Sequence, residues 1–459
     1  MPAPPILDRS KPPAPEAVRP FHLPKIKQST LENGLEILVA EDSSVPIATA
    51  TLLVRNGSAS DPKGKAGVAS LVSLLLTEGT KTYSSTELAK KIDFLGASLG
   101  AGSSHDATYV RLGVLSRYLP QGLELLFDTA RNPIFPEKEV DRVRGMRLDS
   151  LKQIRNVPGA VAADRFNALL YEGTPYAEPA SGTEASVRTI VRDDLVQFHR
   201  TNFVPNNSVL VVTGDVEGNS LIAFLEARLA DWKKGEASPA PKIEPKPAEK
   251  LRVFLVDRPG SVQSVIRIGN ASTPRNNPDF FPQQVMNGIL GGKFTSRVNL
   301  NLREKHGYTY GAHTGFEFRR DGGPFCATAD VQNPVTGKAV RELLFELNRI
   351  RDEDVTDQEL SDSVSYLQGV FPYMLETADD LGSRLVDMKL HSLPADTLVT
   401  YRERIGEVTK AEVRRVAKKY LDPGSFSIVV VGKASEIAAS LREIAPVAIL
   451  DVDGNKQTE

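Results

Sequence analysis

Six histidines (His22, His105, His199, His306, His313 and His391) and one cysteine, Cys326, are the side chains of this 459-residue chain best suited to bind a transition metal or attack a carbonyl. A metal-binding helix presents two ligands at i and i+3 or i+4, so that both point from one face at the ion. No two of these histidines are three or four apart, and none forms a Glu-x-x-His pair on one helical face. His306 and His313 are seven apart, but Gly307 and Gly311 interrupt any continuous helix between them. The lone Cys326 excludes an intrachain disulfide and a cysteine cage, and it reads as a small core residue. Gly291-Gly292-Lys293-Phe294-Thr295 lacks the glycine spacing and the Lys-Ser/Thr ending of a phosphate loop; its glycines suit a tight turn between helices. The residues themselves supply neither a nucleophile nor a metal site.

The elements that would position any chemistry are written twice. Ile190 to Leu195 leads through Phe198 and Pro205 to the strand Val209–Gly214, and the same plan returns 218 residues later. There Val408 to Val413 leads through Val416 and Pro423 to Ser427–Gly432. Each copy is a helix begun by acidic residues, a Pro-containing turn and a β-branched strand ending in glycine. Leu35–Val39 and Leu251–Leu255 open the two copies as edge or half-buried strands. A period this long indicates a duplicated domain rather than a solenoid.

Amphipathic helices are expected at Thr86–Phe94, Glu137–Arg155, Ala160–Leu170, Pro278–Leu290, Gly337–Arg351 and Asp357–Gly369. Thr356 to Glu359 form a capping box before the last of these. Thr108–Leu115 and Val265–Gly269 alternate as antiparallel strands do. The fold class is therefore α+β, with two homologous domains, each a mostly antiparallel sheet with helices packed on one face. The expected boundaries are a Pro-rich leader (1–27), a first domain (28–234), an exposed linker (235–250), a second domain (251–447) and a frayed polar tail (448–459).

Composition narrows the partners. Fifty-six basic against 58 acidic residues give a net charge of −2, which offers no electrostatic case for nucleic acid or an anionic membrane. No apolar run approaches the roughly 20 residues of a membrane span. The first 24 residues hold eight prolines and no apolar segment of the secretory kind. They read as an extended spacer that leaves the compartment open, with a soluble protein of a bacterial-type periplasm or cytoplasm expected.

The run from Gly67 to Thr80 is a helix by its own pattern. Val68, Leu71, Val72, Leu75 and Leu76 recur at helical spacing, with Gly64 and Gly67 before them and Gly79 as the expected C-cap. This run resembles the metal-site helix of the pitrilysin/insulinase zinc peptidases, in which His-x-x-Glu-His is followed by an apolar turn and Glu-Gly-Thr. Glu78-Gly79-Thr80 are present, but Ser70, Ser73 and Leu74 stand where the family has its first His, its catalytic Glu and its second His. The family's third ligand, a Glu on a later helix, aligns with Ser150, beside the carboxylate Asp149.

The resemblance extends from about Leu31 to Ala445. It implies two halves facing each other as a clamshell, with no metal and no cofactor in this chain. In Leu302 to Gly311 it further implies an Arg/Tyr pair, Arg303 for binding the substrate backbone and Tyr310 for stabilising the oxyanion. A guanidinium fork and a phenol donor suit those tasks. Without the resemblance, the same residues read as a surface arginine at a helix end and a tyrosine half-buried in the next strand.

The implied function is that of a zinc-free, substrate-binding subunit of a heteromeric metallopeptidase, not catalytic alone. Its partner would be a catalytic subunit carrying His-x-x-Glu-His and the zinc, and its substrate a peptide or unfolded polypeptide. The alternative is a purely structural relative, like the core proteins of the respiratory bc complex.

Overall fold

The computed structural model describes residues 22–457, so the Pro-rich leader lies outside the described residues as far as position 21. The first half runs β1 (Ile26–Thr30), β2 (Glu36–Glu41), β3 (Ile47–Val54), α1 (Val68–Leu75), α2 (Ser85–Phe94), β4 (Ser98–Ser103) and β5 (Thr108–Leu115). It continues α3 (Leu119–Arg131), α4 (Glu137–Ile154), α5 (Pro158–Leu170), α6 (Glu184–Thr189), α7 (Arg192–Asn202), β6 (Ser208–Gly214) and α8 (Gly218–Leu229).

The second half runs β7 (Arg252–Asp257), β8 (Gln263–Ala271), α9 (Phe280–Leu290), α10 (Arg297–Asn299), β9 (Ala312–Phe316) and β10 (Pro324–Gln332). Then follow α11 (Thr336–Asp352), α12 (Asp357–Val370), α13 (Ala378–Leu390), α14 (Thr397–Gly406), α15 (Lys410–Tyr420), β11 (Ser427–Gly432), α16 (Ala434–Arg442) and β12 (Val447–Leu450).

The strands form two sheets, ordered β1-β2-β6-β3-β5-β4 and β12-β7-β11-β8-β10-β9. Five strands correspond one to one, and in both sheets the only parallel pair among them is the second strand with the strand that closes the repeat. The sixth strand differs. β1 adds antiparallel to β2 from before the repeat, whereas β12 adds parallel to β7 from after it.

Each sheet packs its own helices on one face, and each half has its own core there. The opposite face is covered by a helix of the other half. α5 lays Val161 and Ala162 against Val256, Val265 and Val431 of the second sheet. α13 lays Leu381, Leu385 and Val386 against Leu38, Leu53, Val209 and Val211 of the first. The two helices hold equivalent places in the repeat, so the halves face each other with α5 and α13 crossing between them. Gly382 permits the close approach of α13, because a Cβ there would lie 3.0 Å from Thr213 Oγ1.

This exchange corrects several expectations. β2 and β7 are not edge strands; each lies second in its sheet, because β1 and β12 flank them. Leu38 and Ala40 of β2 are buried beneath α13, which removes the half-exposed face their alternation suggested. The tail is not frayed at its start, since Val447–Leu450 form β12 and Leu450 bridges to Lys456. The linker has no regular structure, yet it is pinned rather than loose. Asn56 donates to the Ser238 carbonyl (3.0 Å), Ile243 N–H donates to Asp321 (3.0 Å), and the Ile243 side chain is buried. α1 ends at Leu75 with Leu76 as its C-cap, and Gly79, at φ +132°, instead begins a bridge to Ser84. Among the described residues no helix is long and apolar enough to cross a membrane.

Candidate functional site

α1 starts from Gly67, whose φ of +105° lies in the left-handed region that glycine tolerates. The carboxylate of Asp61 accepts the N–H groups of Gly67 (2.7 Å) and Ala69 (2.8 Å), capping the helix from a preceding loop. Burial pushes the Asp61 carboxyl up to about 7, against the pull of those N–H donors.

Ser70 and Ser73 are buried, whereas Leu74 is 40% exposed. Ser73 Oγ donates to the Ser70 carbonyl (2.8 Å), and Ser70 Oγ accepts from Arg147 Nη2 at 2.8 Å. Arg147 is on α4, one turn before Ser150. Its Nε is buried without a hydrogen-bond partner, and burial lowers the pKa of its guanidinium. Ser70 is thus bonded to a fixed cation that offers only donors, the opposite of what a divalent metal requires. Among the described residues no group of three His, Cys, Asp or Glu side chains could hold a metal ion. Arg147 was missed from the sequence; its place one helical turn from Ser150 was the available signal.

In the second half, α9 ends at Gly291 and the chain re-enters helix at α10. The next turn, Leu300–Lys305, is π-helical, with the His306 N–H reaching the Asn301 carbonyl five residues back (3.1 Å). Such turns are often found where a side chain must be displaced from a helix for function. Arg303 lies in this turn. Its guanidinium lies 4.4 Å from the Phe294 ring centroid and its Nε is 3.5 Å from Glu304.

The turn is braced from three sides. Arg297, 5% exposed in its side chain, grips Glu359 of α12 with Nε (2.6 Å) and Nη2 (2.9 Å). Burial would raise the Glu359 pKa, but Arg297 and the Thr356 N–H outweigh it and bring it down to about 2. Asn301 donates to Glu342 (3.0 Å) and Glu346 (2.8 Å) of α11, and Asn299 accepts from the Ala312 N–H at the start of β9 (3.1 Å).

Tyr310 is 94% exposed, beside a chain reversal at Gly307 (φ +63°). That corrects the half-buried placement its neighbourhood suggested. His306 stacks on Tyr308, and His313 is exposed on β9. Among the described residues no hydrogen bond or ion pair joins Arg303 or Tyr310 to Ser70, Ser73 or Arg147. Leu74 and Ser150 take no part in the Ser70–Arg147 bonding.

Two sheet edges accompany these groups. Among the described residues, β4 and β9 each bond to one neighbouring strand only. α1 packs against β4, and β9 begins two residues after Tyr310. A cavity of about 570 Å³ runs along β4 between Ser98 and Ser103, bordered by Tyr109 and Arg111. A Cβ on Gly100 or Gly102 would meet nothing there, so the sheet face beside this edge is open.

Residues 36–184 match the family profile described as insulinase (peptidase family M16), and residues 189–367 match that of the peptidase M16 inactive domain. The chain is 25% identical over 423 residues to an uncharacterized zinc protease of Streptomyces coelicolor, covering 90% of this chain and 91% of that protein. It is 23% identical over 396 residues to a non-peptidase homolog of Helicobacter pylori, covering 86% and 91%. Among solved structures, a peptidase M16 inactive domain from Pseudomonas fluorescens superposes with a TM-score of 0.83 at 25% identity. It covers 89% of this chain and 98% of that one.

Proposed function

The chain belongs to the insulinase-type peptidase family M16, and from that premise we propose that it is the zinc-free subunit of a two-chain peptidase, supplying Arg303 and Tyr310 to an active site whose metal sits in its partner. One observation carries the reading: the donor groups are missing at Ser70, Ser73, Leu74 and Ser150 together, while Tyr310 is held almost wholly in solvent on a braced segment. A tyrosine used for packing would bury its ring. An exposed phenol on a rigid support fits a donor meant for a substrate carried by another chain.

In this reading Arg303 would hold the substrate backbone and Tyr310 would donate to the oxyanion developing at the scissile carbonyl, while a zinc held by the partner would supply the activated water. The zinc and the general base belong to the partner's His-x-x-Glu-His helix. The peptide adds as a strand to the free edge of β4 or β9, with main-chain bonds giving affinity. The test is to purify the chain with whatever it binds and to assay peptide cleavage with and without chelator. Chelator-sensitive cleavage by the complex, with none by the chain alone, supports the composite enzyme. A stable complex that cleaves nothing with either chain's partner present supports the scaffolding alternative.

A further inference from the structure

Between α9, α13 and α14 the second half has a half-open cavity of about 400 Å³, apart from Arg303, Tyr310 and the α1 residues. One wall is aromatic. Phe280 and Phe316 line it, and Tyr401 stacks on Phe371 with ring centroids 4.3 Å apart. The charged groups facing this wall are Arg275, Arg384 and Asp387.

The Arg275 guanidinium lies 3.3 Å from the Phe280 ring centroid, with its side chain 13% exposed. Its Nε is 3.9 Å from Asp387 Oδ2, too far for a hydrogen bond. The other oxygen of Asp387 is 3.4 Å from His391 Nε2, so this carboxylate is already engaged. Arg384, three residues before Asp387 on α13, makes no hydrogen bond among the described residues and feels Asp387 only through its charge. Two guanidinium groups against one shared carboxylate leave positive charge in excess here, offset for Arg275 only by the face of the Phe280 ring. Burial lowers the Arg275 pKa, and the neighbouring Arg384 adds to that against the opposing pull of Asp387.

We propose that this cavity binds a monocarboxylate with an aromatic or aliphatic body. The carboxylate is held between Arg275 and Arg384, and the body rests on the phenylalanine wall. A single negative charge completes the count, a planar carboxylate suits guanidinium donors, and the volume is that of a small-molecule site. A free organic acid and the C-terminal residue of a peptide share this chemistry. Because α13 also covers the first half's sheet, an occupied cavity would brace the crossing between the halves.

The experiment is calorimetric titration of the intact chain with four probes. They are 4-phenylbutyrate, its amide, and a hexapeptide ending in phenylalanine with a free or an amidated C-terminus. Saturable binding of an acid, at least tenfold tighter than of the matching amide, is expected. Arg384→Gln should weaken that binding at least tenfold with the melting temperature little changed, because Arg384 makes no hydrogen bond among the described residues and acts on Asp387 through charge alone. Binding of phenylbutyrate alone identifies a free acid, and binding of the peptide alone identifies a chain end. Absence of binding by both acids, amides that bind as well as acids, or undiminished binding by Arg384→Gln would each overturn the proposal.

Discussion

Arg147 Nη2 donates to Ser70 Oγ at 2.8 Å, tying α4 to α1 at the residue read from the sequence as the first metal-ligand position. Ser70 offers no strong metal ligand, and the guanidinium bonded to it has an Nε that is buried and unpaired. Both features act in the same direction, against a bound dication.

Restoring the ligands should therefore not restore the metal. The variant Ser70→His, Ser73→Glu, Leu74→His, Ser150→Glu should hold zinc weakly while Arg147 remains. Adding Arg147→Met should tighten zinc at least ~10-fold, about 1.4 kcal/mol. Competition with a chromogenic chelator measures both affinities. Equal affinities in the two variants would show that the guanidinium does not oppose the metal.

The crossing of α5 and α13 predicts that the halves unfold together. Leu385 is fully buried between α13 and the first sheet, and Leu385→Ala should cost ~2–5 kcal/mol. The single tryptophan, Trp232, packs in the first half's core, whereas Leu385 belongs to the second. Urea denaturation followed by Trp232 fluorescence should shift as far as denaturation followed by circular dichroism. A fluorescence transition left in place by Leu385→Ala would mean that the halves unfold independently.

Most elements were legible in the sequence because their periodicities survive burial. The helices expected at Glu137–Arg155 and Asp357–Gly369 form within two residues of those bounds, and Thr108–Leu115 forms as read. What pattern could not reveal was which body covers each face. The alternation of β2 suggested one wet face, yet Leu38 and Ala40 point into a layer supplied by the other half. Val447 to Leu450 was an apolar run too short to stand out from a polar tail, and its pairing with β7 depends on a neighbour distant in sequence. Arg147 was hidden for a related reason, since an arginine on an amphipathic helix ordinarily marks its solvent face. Only the packing of α1 against α4 turns it inward.

Acid should loosen the segment that carries Arg303. Glu359 has a folded pKa of about 2 against an ordinary value of 4.5, because Arg297 outweighs the effect of burial. A depressed carboxylate contributes stability that is present above its unfolded pKa and is lost as the pH falls through its folded one. The loss should therefore develop from about pH 4.5 down to about pH 2. Its size should be about 1 kcal/mol, since the pair is partly open to solvent. Glu359→Gln should remove that part of the acid dependence, which denaturation at pH 7, 4 and 3 measures. An unchanged acid dependence in Glu359→Gln would assign it to another group.

Arg303→Ala should act on substrate binding, raising KM while leaving the complex with the catalytic partner intact. The guanidinium rests on the exposed Phe294 ring and not in a core, so the variant should melt with the native chain. Steady-state kinetics of the reconstituted pair separates KM from kcat. A fall in kcat at constant KM would move Arg303 from holding the substrate to acting on the transition state.

The most direct test is Tyr310→Phe, assayed in a complex reconstituted with a relative that has an intact His-x-x-Glu-His helix. The substitution removes one oxygen from a ring that packs in no core, so folding and assembly should be unaffected. If Tyr310 donates to the oxyanion, turnover should fall ~10²–10³-fold, the usual cost of one such donor, with the complex forming at its normal affinity. Unchanged turnover in a normally formed complex would contradict the shared active site and leave this chain a scaffold.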